Sequence, residues 1–144
     1  MPLLKYTTGI DADKTAAEIA KCLSKHGAKA VLTEYDPENS FISALSFKIG
    51  LNGNDIAFRL PCDWKPVLTI LENDNKVPVR LKTREQAVRV SWRIVLTWIE
   101  AQMAIIETKM VRVEEVFLPY AVMSDGKLLS EKVLNENFLL NDGK

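Results

Sequence analysis

The chain has few of the residues that announce a reaction. It carries one histidine, two cysteines and six glycines in 144 residues. Cys22 and Cys62 stand forty positions apart, which gives neither a disulfide framework nor a CxxC pair and fits a reducing cytoplasm. With a single histidine, a zinc site would need carboxylates to complete it, and no spacing resembles one, so no metal or other cofactor is expected. The glycines at 9, 27, 50, 53, 126 and 143 form neither GxGxxG nor GxxxxGKS/T, so the common phosphate-cradling loops are missing. A long hydrophobic run is missing too. The most apolar stretch, residues 94–106, is interrupted by Thr97, Glu100 and Gln102, whereas a membrane span needs about 20 apolar residues. The opening MPLLKYTTGI has no basic start followed by an apolar segment, so no secretory leader is expected and a cytoplasmic setting is. Nor is there an excess of charge: 19 Lys plus Arg balance 19 Asp plus Glu, which excludes a generally basic, polyanion-coating protein.

What is present is 47% hydrophobic and 26% charged, the composition of an ordinary globular chain. At this length one domain, residues 1–144, is expected to bury its own core without disulfides or metal. The pattern predicts an α+β fold. A short strand over residues 5–8 precedes a helix capped by Asp11 or Asp13 and closed at Gly27. Strands at 28–35, 41–49 and 55–60 follow, separated by turn residues, as a three-stranded antiparallel meander with one buried face. Alternation places Phe41, Leu45, Phe47 and Ile49 on that face, with Phe58 from the third strand. Asp63 caps a short helix over 64–72, and residues 77–79 are extended. A helix over 83–109 is the longest element. It is apolar around most of its circumference, leaving Gln86, Arg89, Arg93, Thr97, Glu100 and Glu107 as a narrow solvent stripe. An extended segment at 111–123, a turn at 124–126, a short helix at 128–134 and a polar tail complete the chain.

Catalytic constellations are not evident. Ser24 and His26 have no third triad member, and a histidine in a last helical turn is explained by the helix dipole. On a strand, Glu114 and Glu115 point to opposite faces, and Asp11 with Asp13 is explained by capping. Cys62 reads as a buried, inert thiol. A non-enzyme is expected.

The balanced charge is unevenly distributed. Residues 76–93 hold Lys76, Arg80, Lys82, Arg84, Arg89 and Arg93 against Glu85 alone, a net +5 set against −5 elsewhere. Arginines at the start of a long helix oppose its dipole, and cations there deepen an anion site. Two readings stand: phosphate contacts, or a solvated face paired with acids such as Glu72 and Asp74. Lys48 and Arg59, on the polar face of the meander, can extend the patch. Tyr35, Trp64 and Trp92 are the aromatic candidates for base stacking. The expected partner is nucleic acid, single-stranded DNA above all. The alternative is an interaction module that forms a homo-oligomer by basic-to-acidic and apolar helix contacts.

At FRLP (58–61), QAVRVSWR (86–93) continuing to WIEAQMA (98–104), and VFLPY (116–120), the chain resembles small phage- and prophage-encoded proteins of uncharacterised function. The resemblance spans most of the chain and implies a mobile-element setting, where small proteins often handle DNA. It brings no site residues with it. In element order the chain also looks like phage single-strand annealing proteins and double-stranded RNA-binding modules, though the motifs of neither are present.

Overall fold

The computed structural model describes residues 2–136. The first helix, α1 (Ala12–Lys25), is followed by β1 (Ala30–Tyr35), β2 (Ile42–Leu51) and β3 (Asn54–Arg59), an antiparallel sheet in the order β1-β2-β3. Then come α2 (Trp64–Asn73), a 3₁₀ turn at Val79–Leu81, α3 (Arg84–Glu107), α4 (Val113–Phe117) with a second 3₁₀ turn at Leu118–Tyr120, and α5 (Leu129–Glu136). The architecture is α+β, as the pattern predicts. No helix among the described residues is long and apolar enough to cross a membrane. The polar tail expected after the last helix lies outside the described residues.

Residues opposite one another in an antiparallel ladder share a face. Phe47 pairs with Val31 on one side and Phe58 on the other, and Phe47 and Phe58 are buried, so these rows look inward. Ala16, Ile19 and Leu23 of α1 and Val88, Trp92, Val95, Leu96, Ile99 and Met103 of α3 close over them as one core. The other face carries the rows Ala30–Lys48–Ala57 and Leu32–Ser46–Arg59 and stays open, with Leu32 59% exposed. A small second cluster, Leu71, Val77, Leu81 and Ala87, joins α2 to α3.

Several local expectations change. Residues 5–8 form turns, not a strand: Lys5 takes φ +66°, and Thr8 N–H donates to the Lys5 carbonyl. The β1–β2 ladder slips between Glu34 and Tyr35, so Glu34 faces Ala44 while Tyr35 faces Ile42, leaving Ser43 as a bulge. The bulge turns Ile42 into the core in place of Phe41, which is only half-buried. The extended C-terminal segment is confined to residues near Ala121 and Val122, which add a short bridge to the outer edge of β3. Residues 113–117 before it coil into α4, whose first turn holds Glu114 and Glu115 where the helix dipole favours acids. Glu115 accepts from the Arg112 backbone N–H, which holds its carboxyl below the usual range. Pro78 is extended, but Val79–Leu81 tighten into a 3₁₀ turn.

Candidate nucleic-acid interface

The basic segment divides into parts with different surroundings. In residues 74–83 the chain alternates anchors and outward positions. Asp74 Oδ1 accepts from Lys76 N–H, Val77 and Leu81 are buried against α2 and α3, and Leu81 N–H closes onto the Pro78 carbonyl. Thr83 then caps α3, its hydroxyl accepting from Gln86 N–H. With Val77 and Leu81 turned in, Lys76, Arg80 and Arg84 are exposed and Lys82 is partly so, around a Val79 that is 82% exposed. None of the ion pairs among the described residues includes these four bases. Asp74, a possible partner by sequence, spends its carboxylate on a backbone N–H.

Arg89 and Arg93 belong to a different environment. The N-terminal half of the α3 stripe expected to face solvent, Gln86 to Arg93, lies against α1 and the N-terminal turn, while Glu100 and Glu107 are exposed as expected. Gln86 is buried, and its Nε2 donates to the carbonyls of Tyr6 at 2.9 Å and Thr8 at 2.8 Å. Arg89 donates to Gln86 Oε1 and lies 3.8 Å from Asp11 Oδ1. Arg93 Nη1 lies 2.5 Å from Glu18 Oε2 and 3.4 Å from Thr15 Oγ1, with its side chain only 17% exposed. The ion-paired reading holds for these two, with Asp11 at the N-cap of α1 and Glu18 within it as partners instead of Glu72 and Asp74. Asp11 accordingly makes no side-chain capping bond to its own helix.

Lys48 and Arg59 sit on the open face of the sheet, as their alternation predicts. Helix α3 packs on the opposite face. Arg59 closes β3 at the end of the sheet where Phe41 enters β2, so it lies nearer the start of α3 than Lys48 does.

The three aromatic candidates diverge as well. Trp92 is 1% exposed in the core and offers no stacking surface. Tyr35 is exposed, but alternation along β1 sets it with Val31 and Thr33 on the α1 side, where its hydroxyl donates to Asp13 at 3.4 Å, and it does not join Lys48 and Arg59. Trp64 is half-buried and stands edge-on to Phe41, ring centroids 5.9 Å apart. Above Phe41 lies the Arg84 guanidinium, 6.0 Å from the ring centroid. Phe41 thus stands beside Arg84 and Trp64, where alternation alone assigns it to the core. A spacing signal for the loop did exist, since the apolar Val77 and Leu81 each stand directly beside a base, Lys76 before the first and Arg80 and Lys82 on either side of the second.

The single histidine and its neighbouring serine are local in their attachments. His26 Nδ1 meets the Cys22 carbonyl at 2.8 Å, and Ser24 Oγ donates to the Lys21 carbonyl. Burial pushes the Cys62 thiol up to about 12, with Asp63 adding to the rise and a hydrogen bond with Ser91 opposing it. Among the described residues, no group of three or more His, Cys, Asp and Glu converges to hold a metal ion. Compared with known protein families, with curated proteins and with solved structures, the chain matches none.

Proposed function

We propose that this chain is a non-catalytic nucleic-acid-binding protein, with single-stranded DNA as its ligand, in the DNA metabolism of a phage or other mobile element. The observation that carries the reading is the anchored loop at the start of α3, where Lys76, Arg80, Lys82 and Arg84 are held outward with no acidic partner among the described residues. Four cations on a short, tethered loop suit successive phosphates, and Arg forks suit phosphate oxygens. Arg84, Phe41 and Trp64 supply planar surfaces beside the loop, which favours unpaired bases over a closed duplex. Lys48 and Arg59 extend the contact for longer ligands. The mobile-element setting rests on the FRLP, QAVRVSWR and VFLPY segments.

Fluorescence anisotropy with single- and double-stranded DNA and RNA oligonucleotides at low salt tests the reading. Single-stranded DNA is expected to bind most tightly. A variant with Lys76, Arg80, Lys82 and Arg84 all replaced by Gln is expected to lose binding while its thermal unfolding stays unchanged. Equal binding by this variant ends the proposal. The alternative of a homo-oligomer joined along α3 has less to draw on, because Val95, Leu96, Ile99 and Met103 are buried within the chain itself.

A further inference from the structure

The two edges of the sheet are treated differently. Beyond β3, Val122 N–H donates to the Ala57 carbonyl at 2.8 Å, and Ala121 bridges Phe58, so that edge has a partner. Beyond β1 there is none among the described residues. A free edge is normally protected by proline, by lysine or by a charge that blocks a second strand. The run Ala30–Tyr35 contains no proline or lysine, and its one charge is Glu34. The lysine before it, Lys29, is drawn away from the edge. It crosses Gly50 of β2 to reach Asp55 of β3 at 2.9 Å, along a path where a Cβ on residue 50 would stand 3.2 Å from Nζ. Leu32, at the centre of the edge strand, is 59% exposed.

From this edge we infer that the chain pairs with a second copy of itself, β1 against β1 in antiparallel register, to form a six-stranded sheet. The inference is drawn from the sheet edge and shares with the nucleic-acid reading only Lys48, which that reading uses for longer ligands alone. A two-fold axis perpendicular to the sheet keeps both open faces on one side, and then only residues of like facing can stand opposite. Among such registers, one sets Leu32 against Leu32 of the second copy. In that register Glu34 stands opposite Ala30 of the second copy. Ala30 is the ladder neighbour of Lys48, so the Glu34 carboxylate and the second copy's Lys48 ammonium approach each other across a side chain too small to separate them. Moving the axis to Thr33 would set Leu32 against Glu34, apolar against charged. Moving it to Val31 would set Leu32 against Ala30 and carry Glu34 beyond the second copy's strand. The Leu32 register alone joins an apolar centre to two complementary charge pairs. The joined sheet carries all of the helices on one side and both copies of Lys48 and Arg59 on the other.

Two sets of variants test the pairing, read by sedimentation velocity over a range of protein concentrations. Across a two-fold axis at Leu32 the Cα atoms of residue 32 lie about 4.5–5.5 Å apart, within disulfide reach. Leu32→Cys is therefore expected to give covalent dimers on mild oxidation, beyond the level of the unmodified protein with its native Cys22 and Cys62. Glu34→Cys is expected not to, because its copies lie four residues out of register, about 13 Å apart. Glu34→Lys and Lys48→Glu are each expected to weaken the dimer by about two- to thirtyfold, and the combined swap to restore it. Rescue by the swap excludes simple misfolding. A chain that is monomeric at every concentration overturns the inference. So does a dimer that fails to cross-link at residue 32, cross-links equally at residue 34, or is not restored by the swap.

Discussion

Replacing Arg93 separates its two possible roles, since a phosphate contact and a bond between helices respond differently. In the fold its Nη1 meets Glu18 Oε2 at 2.5 Å and Thr15 Oγ1 at 3.4 Å, and its side chain is 17% exposed against 40% for Glu18. A fully exposed pair is worth about 0.2–1 kcal/mol, and a hydrogen bond to a charged group in a drier place about 1.5–3 kcal/mol. Because Glu18 keeps a good share of its water, screening brings the coupling to about 1 kcal/mol. Arg93→Ala also gives up the packing of its aliphatic stem, so its total cost is about 1–2 kcal/mol, and that of Glu18→Ala about 1 kcal/mol. For a chain of this size that is a fall of about 3–6 °C in Tm for the arginine variant. Urea unfolding followed by tryptophan fluorescence, with the double variant completing the cycle, measures the coupling; the slope with denaturant is expected to stay constant. If Arg93→Ala is as stable as the parent protein and the coupling is zero, the α1–α3 attachment is wrong and Arg93 returns to the free cations.

Gln86→Ala strips two partly buried carbonyls, those of Tyr6 and Thr8, of their donor. It is expected to cost about 2–3 kcal/mol in the same unfolding assay and to loosen the N-terminal turn to proteolysis. Cys62, pushed up to about 12 by burial, is expected to resist a thiol reagent at pH 8 and to react fully only after denaturation. The Lys29 ammonium holds the Asp55 carboxyl below the usual carboxylate range. Its stabilising part is therefore present above the ordinary carboxylate pKa and lost as pH falls through the lowered value. Lys29→Met is expected to move the Asp55 titration, read by NMR, upward.

Much of the element plan can be read from single residues. Gly27, at φ +101°, ends the first helix where a left-handed residue is needed, and Asp63 and Thr83 cap α2 and α3 with their side chains. Two kinds of information are absent from local pattern. A bulge costs one residue of register, so the alternation that puts Phe41 inside and Ile42 outside runs true only until Ser43 interrupts it. Equally, a basic side chain carries no mark of its partner. Arg89 and Arg93 belong to the same basic run as Arg84, yet acids some 75 positions away, Asp11 at the N-cap of α1 and Glu18 within it, claim them once the helices pack. The paired acids at 114–115 fit a strand by alternation, but as first-turn residues they stabilise a helix instead.

The salt dependence of oligonucleotide binding bears most directly on the central claim. Each phosphate contact to single strands contributes about 0.7 to the slope of log K against log salt, so the four bases of residues 76–84 predict a slope of about −2.8. Affinity then falls about fiftyfold between 50 and 200 mM salt, and a variant with Lys76 and Lys82 replaced by Gln shows about half that slope. A wild-type slope near zero, or a slope that this pair of substitutions leaves unchanged, would contradict the account.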